Sequence, residues 1–289
     1  MINKILIIGG TGLLGQPVTW RFKYDGYQVR LLSHSPERAR RIFGDQVEIV
    51  EGDVTQPDGL AEAIRGCDAV YINLGAKMNI PDYERVEHRG TINIVQAAAG
   101  SDIERIGMIS ELNVGTTDID NHYFRAKRGA EKAVTESGFP YTIFRCCHFF
   151  DSLPLYVVDK RAMMFGRQPH KRSWISSSDY ALMVSKAFSM DEAKNKIFHV
   201  RGIDRLTVRE ALEKYLGITG AEVKITETPL WLLGLLSRFS KNKSMRGLAE
   251  FMKAFDRIPE AETEDDTEEI LGPALTTIGD WAREYTLKK

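Results

Sequence analysis

The stretch KILIIGGTGLLG, from Lys4 to Gly15, contains the strongest indication of the fold. An almost wholly apolar segment runs directly into a turn with Gly9, Gly12 and Gly15, and a segment of helical period follows. In such a turn the missing side chains let the chain tighten, let the backbone approach a pyrophosphate, and let the helix pack on the strand. The amide hydrogens at the helix start then face the phosphates. The turn therefore indicates a dinucleotide site, with a tight strand-to-helix connection that binds nothing as the alternative.

Beyond this turn, short apolar runs alternate with longer segments of helical period. Runs such as residues 5–8 and 106–109 are almost wholly apolar, as expected of strands that are buried on both faces. The alternation predicts an α/β fold, a Rossmann-type doubly wound parallel sheet with helices on both faces. We expect residues 1–202 to form the nucleotide-binding domain, with 151–173 as an excursion that lines the cleft. Residues 203–289 read as a small, mainly helical C-terminal substrate or lid lobe.

Composition narrows the class of function. The chain has 289 residues, 43% of them hydrophobic, which is enough for a large core, and 39 basic side chains balance 40 acidic ones. This balance gives no electrostatic footprint for nucleic acid or an anionic membrane, so a small-molecule ligand is expected. The three cysteines and the histidines show no metal-ligand spacing, so no metal site is predicted.

The apolar segments bear on location and assembly. The amino-terminal apolar run is too short for a signal peptide and continues into the glycine turn, which favours a cytoplasmic protein. PLWLLGLL, Pro229 to Leu236, is well short of the ~20 residues that a membrane-spanning helix needs. We expect it to be buried core or a partner surface rather than an anchor, and it would serve equally well as lid, core or homodimer contact.

The end of the second predicted strand indicates which nucleotide is bound. A carboxylate there would bind the adenosine ribose hydroxyls of NAD and repel the additional phosphate of NADP. This chain has Ser33, His34 and Arg38 in the segment SHSPER. Hydroxyls and a cation suit a 2′-phosphate, which favours NADP over NAD, although Arg38 would also fit a solvated helix surface.

The order and spacing of six motifs resemble a known superfamily. GGTGLLG, EGDV, DAVYINLG, GTINIVQAA, RIGMIS and YTIFR follow one another over roughly the first 205 residues. They resemble the short-chain dehydrogenase/reductase superfamily, in its atypical branch of NmrA-like and NAD(P)H-binding proteins. The resemblance implies that Asp53 and Val54 lie against the adenine, and that Leu74, Gly75 and Ala76 border the cofactor ribose. The full set of expected cofactor-binding residues is Gly9, Thr11, Gly12, Leu13, Leu14, Gly15, Ser33, His34, Arg38, Asp53, Val54, Leu74, Gly75, Ala76 and Lys127.

Ser110, Tyr123 and Lys127 match the Ser-Tyr-Lys set that catalytic members of the superfamily use for proton transfer. Ser110 ends a predicted strand at its carboxyl side, where open α/β sheets bind ligands. Tyr123 and Lys127 lie four apart and so share one face of a helix. A nearby cation lowers the pKa of a phenol, and Lys127 would also bond the nicotinamide ribose. Ser110 would hold the substrate oxygen. The alternative is that Tyr123 and Lys127 are ordinary residues on the wet face of an amphipathic helix.

Other residues have structural readings that we rank first. His148 could be a second proton donor, but beside phenylalanines it reads as a packed histidine, and Cys146 and Cys147 read as small buried hydrophobes. Asn93 reads as helix packing. Bulky apolar residues that could close the cleft, or form the core of the small lobe, are Leu153, Leu155, Tyr156, Met163, Met164, Phe165, Trp231 and Phe251.

Three functions are compatible with these residues. The first is an NADP(H)-dependent reductase of a carbonyl, quinone or similar small hydrophobic acceptor, with Tyr123 as proton donor. The second is a non-catalytic NADP(H)-binding sensor, regulator or assembly factor of the NmrA-like type. A nucleotide-sugar epimerase or dehydratase would use the same three residues, but no second nucleotide-binding cluster follows Gly202.

Overall fold

The computed structural model of the protein describes residues 2–159, 161–220 and 223–287. Within them, seven parallel strands form the central sheet, and two three-stranded sheets lie in the second half. The strands are β1 Lys4–Ile8, β2 Gln28–Ser33, β3 Glu48–Glu51, β4 Ala69–Ile72, β5 Arg105–Glu111, β6 Tyr141–Cys146, β7 His148–Phe149, β8 Val157–Val158, β9 Arg161–Phe165, β10 Arg172–Ile175, β11 Lys196–Val200, β12 Asp204–Leu206 and β13 Lys224–Thr228. The helices are α1 Gly15–Tyr24, α2 Pro36–Phe43, α3 Leu60–Ile64, α4 Ile80–Asp82, α5 Arg89–Ala98, α6 His122–Thr135, α7 Ser177–Phe188, α8 Val208–Thr219, α9 Leu230–Phe239, α10 Ser244–Arg257, α11 Thr267–Leu271 and α12 Ile278–Leu287. A π-helical turn, Tyr83–His88, joins α4 to α5, and 3₁₀ turns cover Phe150–Tyr156 and Asp191–Ala193.

The central sheet confirms the predicted doubly wound fold. Its strand order is β11-β6-β5-β4-β1-β2-β3, and every pairing in it is parallel. Strand β1 pairs with β2 on one side and β4 on the other, so the direction of winding reverses at β1. In open α/β sheets the ligand lies outside the carboxyl ends of the strands at this reversal.

Each face of the sheet carries its own apolar core. Ile5 and Ile7 of β1 pack with Phe22 of α1 and Phe188 of α7 on one face. The alternate residues of the same strand pack with α3 and α5 on the other face. Because helices cover both faces of the sheet, the strand side chains that point to either face are buried. This explains the continuous apolar runs in the sequence.

A third core lies in the second half of the chain. The buried rings of Phe150, Trp174 and Trp281 pack there with side chains of α8 and α12. Leu153 and Met164 belong to this core, so their lobe-core reading is confirmed. Strand β9 pairs with β13, and segment 150–175 therefore shares a core with the C-terminal helices. The division at residue 202 stays a prediction.

Helix α9 corrects one sequence expectation. Leu233 and Ser237 are buried, but Trp231 is 70% exposed, so the buried-core role expected for that tryptophan is wrong. Among the described residues, none of the helices is both long enough and apolar enough to span a bilayer.

Candidate active site

The turn between β1 and α1 has the shape of a phosphate-binding loop. Gly9 has a φ of +84°, and a Cβ there would lie 2.1 Å from the carbonyl oxygen of Asn73, just after β4. A Cβ on Gly15 would lie 2.2 Å from the carbonyl oxygen of Gly9, so neither position tolerates a side chain. A Cβ on Gly12 would lie 3.2 Å from the same Gly9 oxygen and would be less crowded. The more open side at Gly12, next to the first amides of α1, fits an approaching pyrophosphate.

The other predicted residues of this turn, Thr11, Leu13 and Leu14, lie between β1 and the first turn of α1. Leu14 occupies the N-cap position of α1, and no side-chain hydrogen bond caps the helix there among the described residues. Leu13 is half exposed. The carbonyl of Thr11 accepts hydrogen bonds from the side chains of Gln16, at 3.0 Å, and Arg38, at 3.2 Å. No side chain in the described part of the chain therefore caps the amides at the helix start, although the amide of Gln16 donates to the carbonyl of Gly12 at 3.0 Å.

The end of β2 lies beside this turn. Ser33 is buried, and its hydroxyl accepts the amide hydrogen of Ser35 at 3.1 Å. His34 and Arg38 are exposed, and the bond from Arg38 to Thr11 holds the guanidinium between α2 and the glycine turn. The predicted residues Ser33, His34 and Arg38 therefore lie at the edge of the expected cofactor cleft.

The segment after β3 is fixed by helix α5. The carboxylate of Asp53 accepts the amide hydrogen of Thr55 at 2.8 Å and so closes a local turn. Asn93 donates to the carbonyl of Val54 at 2.8 Å, so its packing role is confirmed. A Cβ on Gly90 would lie 2.8 Å from the side chain of Val54, and the missing side chain lets α5 approach this segment closely.

The loop after β4 is strained and covered by α10. Gly75 is exposed, and no described residue would contact a Cβ there within 4 Å, which leaves room for a ligand. Lys77 and Met78 both adopt left-handed backbone conformations, with φ of 47° and 61°. A Cβ on Gly247 of α10 would lie 1.9 Å from the Met78 carbonyl oxygen, so the helix rests directly on the loop. Such strain persists where surrounding structure holds it, often at ligand clamps.

Ser110 lies buried at the carboxyl end of β5. The residue is 4% exposed, and its Oγ has no hydrogen-bond partner within the described part of the chain. Its neighbour across the sheet, Arg145, is paired with Glu131 of α6, so that guanidinium is already engaged. A buried polar atom without a partner is uncommon, and a substrate oxygen would satisfy it.

Tyr123 stands in the first turn of α6. The helix begins here because the side chain of Asn121 accepts the amide hydrogen of Phe124 at 2.8 Å. The tyrosine ring makes edge contacts with Tyr83, at 5.7 Å between centroids, and with Phe251 of α10, at 5.1 Å. Phe251 therefore packs on the ring of Tyr123, and its role in closing the cleft stays a prediction. Burial, with the negative charges nearby, raises the pKa of Tyr123 well above the ordinary value for tyrosine.

Lys127 pairs with a carboxylate that the sequence reading missed. Its Nζ lies 2.8 Å from Glu87 Oε2, and both residues are buried. Glu87 also accepts the amide hydrogen of Ala76 at 2.7 Å, which ties the ion pair to the loop after β4. The ammonium is 5.9 Å from the centre of the Tyr123 ring. The expected lowering of the Tyr123 pKa is wrong for this structure, because burial raises that pKa most and the negative charges of Glu111 and Glu87 raise it further.

A sequence signal for Glu87 was present. It follows Tyr83 by four residues and precedes Thr91 by four, so it lies on the apolar stripe that α5 continues. A carboxylate in such a stripe needs a buried partner. The π-helical turn that carries it is a geometry found frequently at functional sites.

Glu111, next to Ser110, is a second buried carboxylate that sequence reasoning passed over. It accepts hydrogen bonds from the amide and the side chain of Asn113, each at 2.8 Å. Burial raises the pKa of Glu111 to about 7 despite these bonds and the nearby charges of Arg172 and Lys127. The signal was a carboxylate that follows the apolar run 106–109 after a single serine.

The packing roles expected for Cys146, Cys147 and His148 are confirmed. His148 makes edge contacts with Trp174, at 5.1 Å, and Phe255, at 5.6 Å, and burial lowers its pKa to about 3. It is therefore neutral near pH 7 and poorly suited to proton donation. Cys146 and Cys147 are buried, and burial raises the pKa of both thiols.

Comparisons with known proteins place this geometry in context. A family model described as NAD(P)H-binding matches residues 9–190, which confirms the predicted class of cofactor. The chain is 25% identical over 240 residues to the photosystem II assembly factor Ycf39 of Trieres chinensis, covering 81% of this chain and 75% of that protein. It is 27% identical to the (4-alkanoyl-5-oxo-2,5-dihydrofuran-3-yl)methyl phosphate reductase of Streptomyces griseus, covering 77% and 76%. The NADPH complex of the quinone oxidoreductase QOR2 of Escherichia coli has the same fold, with a TM-score of 0.76 at 17% identity over 97% of this chain and 99% of that one.

Proposed function

Because the chain belongs to the NAD(P)H-binding family, we propose that it is an NADP(H)-dependent reductase of a carbonyl, quinone or similar small hydrophobic acceptor. Bound NADPH would supply the hydride. The glycine turn would hold its pyrophosphate, and the residues that end β2 would hold its 2′-phosphate. The preference for NADP over NAD rests on Ser33, His34 and Arg38.

The observation that carries this proposal is the buried hydroxyl of Ser110 at the carboxyl end of β5, which has no hydrogen-bond partner among the described residues. In the proposed reaction it donates a hydrogen bond to the acceptor oxygen and stabilises the charge that develops there. A hydroxyl kept buried without a partner costs free energy, which a purely structural serine would avoid by bonding to its neighbours.

Tyr123 would supply the proton. Its raised pKa keeps the phenol protonated near neutral pH, which is the state that a donor needs. Lys127 would stabilise the phenolate once the proton has left, but its pairing with Glu87 weakens that effect. We therefore expect slow turnover.

The test is NADPH oxidation with a panel of quinones, aldehydes and enones, measured for wild type, Ser110→Ala and Ser185→Ala. We expect Ser110→Ala to lower kcat/KM about a hundredfold, as loss of a donor to the reacting oxygen does, at unchanged NADPH affinity and undiminished thermal stability. Ser185, a buried serine that donates to Asp25, is the matched control: its replacement should lower stability and leave turnover intact. Equal turnover in Ser110→Ala and wild type would refute the role of Ser110.

A non-catalytic NADP(H)-binding assembly factor or sensor is the second candidate. The specific observation in its favour is the Glu87 carboxylate, which occupies the ammonium of Lys127 and helps to raise the pKa of Tyr123. The relatives named as photosystem II assembly factors also support it. Tight NADPH binding with no oxidation across the acceptor panel, in wild type, would favour this candidate.

A further inference from the structure

Helix α9 carries an apolar face that the described remainder of the chain leaves uncovered. Trp231 is 70% exposed, Leu235 45% and Phe239 81%. These residues follow one another at intervals of four, so they share one side of the helix. Leu233 lies on the opposite side and is buried. A helix that is apolar on both its buried and its exposed side is expected to have a partner on the exposed side.

The charges on the segment that carries this face have a single sign. From Pro229 to Ala249 the sequence has four basic side chains and no aspartate or glutamate, although the whole chain contains 40 acidic residues. Arg238, Lys241 and Arg246 are exposed, and none of them has an ion pair among residues 2–159, 161–220 and 223–287. A groove of about 690 Å³, lined by Trp231, Leu235, Arg238 and Arg246 among others, joins the apolar and basic parts.

We propose that α9 binds flat on the surface of an anionic lipid bilayer. Trp231, Leu235 and Phe239 would enter the boundary between headgroups and acyl chains, while Arg238 and Arg246 would contact the lipid phosphates. An exposed apolar side with tryptophan and phenylalanine, bordered by basic residues, is the pattern of helices that lie in a membrane interface. Clustered basic residues add attraction to anionic lipid.

The same charges argue against a second copy of the chain as the partner. In a twofold symmetric dimer the same patch serves both subunits. Two α9 faces would then bring the Arg238, Lys241 and Arg246 side chains of both copies together without any acidic residue from the segment to balance them. An anionic surface is complementary to the patch, whereas the patch is not complementary to itself.

Helix α10 links the apolar face of α9 to the proposed cleft. Helix α10 follows α9 after a short link, rests on the loop at Met78, and contacts Tyr123 through Phe251. A bilayer at α9 would place the proposed cleft near a source of hydrophobic acceptors. This last point rests on the proposed function, whereas the lipid binding itself does not.

The experiment is co-sedimentation of the full chain with phosphatidylcholine vesicles and with vesicles that also contain phosphatidylglycerol. We expect binding to the anionic vesicles only, release at high salt, and a blue shift of tryptophan fluorescence from Trp231. Each of Arg238→Gln and Arg246→Gln should weaken binding about fivefold. The double variant Trp231→Ser with Phe239→Ser should abolish it.

The matched control is the double variant Leu275→Ser with Leu287→Ser, which removes apolar residues that are 74% and 88% exposed elsewhere. It should bind vesicles like wild type, and all variants should keep their NADPH affinity. No vesicle binding by wild type, equal binding to neutral and anionic vesicles, or undiminished binding by the α9 double variant would overturn the proposal. A dimer that dissociates in the α9 double variant, with no lipid binding, would also overturn it and would show that the face joins two copies instead.

Discussion

Tyr123 and Lys127 share one face of α6, but a third residue determines how they interact. The spacing of the two in the sequence indicates a cation that lowers the pKa of a phenol. In the folded chain Lys127 is instead paired with Glu87, and Glu87 contributes to raising the pKa of Tyr123. Burial is the largest cause of the raised pKa of the proposed proton donor, and the carboxylates of Glu111 and of Glu87 in the π-helical turn add to it.

Replacement of Glu87 by glutamine tests this dependence. The amide oxygen can still accept the Ala76 amide hydrogen, but it no longer neutralises Lys127. We predict a lower pKa of Tyr123, so the alkaline limb of the kcat profile moves to lower pH, because the donor loses its proton earlier. Glu84→Gln is the control, since Glu84 lies on the same turn but is exposed and bonds to His88 and Arg89. An alkaline limb in the same place for Glu87→Gln and wild type would contradict the prediction.

Replacement of Arg38 tests whether this residue makes the protein prefer NADPH to NADH. We predict that Arg38→Ala raises the dissociation constant for NADPH about tenfold, as loss of one charge-assisted hydrogen bond does, and leaves that for NADH unchanged. Fluorescence titration with both nucleotides measures the effect. Arg40→Ala, an exposed arginine on the same helix, should change neither constant. A loss of affinity of the same size for both nucleotides would mean that Arg38 does not contact the 2′-phosphate.

At the scale of elements, the start of α6 positions the proposed donor. The side chain of Asn121 caps this helix, and Tyr123 lies in its first turn. We predict that Asn121→Ala lowers the free energy of unfolding by about 1 kcal/mol and also lowers kcat, because the first turn frays. Chemical denaturation and steady-state kinetics measure the two effects. Ser35 occupies the N-cap of α2 and makes no side-chain cap bond within the described chain, so Ser35→Ala should leave stability nearly unchanged. Equal stability of Asn121→Ala and wild type would show that the cap does not hold the helix start.

The elements of the central sheet could be predicted from the sequence because their apolar pattern is local. The pattern predicts a helix around Tyr123 to Ser137 and a strand from Tyr141 to Arg145, and α6 and β6 begin at His122 and Tyr141. The short strands β7 to β10, β12 and β13 were missed, since two to five residues without clear alternation give no periodic signal. Helix α12 was missed as well.

The candidate site was predictable only in part, for a physical reason. Ser110, Tyr123 and the glycine turn follow from fixed spacings along the chain. The partner of Lys127 depends on which residue of a distant turn is buried beside it, and no spacing gives that. Likewise, the pKa of Glu111 depends on how deeply the end of β5 is buried in the folded chain.

At the scale of the whole molecule, Glu111 makes stability depend on pH. Its neighbour Asn113 accepts the amide hydrogen of Ala261, so this region joins the sheet to the C-terminal segment. The folded state raises the pKa of Glu111 from 4.5 to about 7. The folded chain therefore holds this proton more tightly than the unfolded chain, and the stabilisation is full below pH 4.5 and is lost as pH rises through 7.

We predict that Glu111→Gln removes this contribution to the pH dependence. In wild type it amounts to roughly 3 kcal/mol of unfolding free energy between pH 4.5 and 7. Urea denaturation of both proteins across this range measures their free energies of unfolding. The stability of wild type relative to the variant should fall as the pH rises. A constant difference between the two curves would mean that Glu111 titrates normally in the folded state.

The most direct test of the proposed reaction is NADPH oxidation by wild type and Tyr123→Phe, with NADPH affinity measured in both and the acceptor taken from the same panel of quinones, aldehydes and enones. The ring contacts with Tyr83 and Phe251 survive this change, so the fold and the cofactor site should be preserved. We predict that kcat falls about a hundredfold in the variant. The dissociation constant for NADPH should change by no more than a factor of about two, which is far less than the loss of a charge-assisted hydrogen bond would cause. Equal turnover in the two proteins would contradict the role of Tyr123, and tight NADPH binding without turnover in either would contradict the assignment as a reductase.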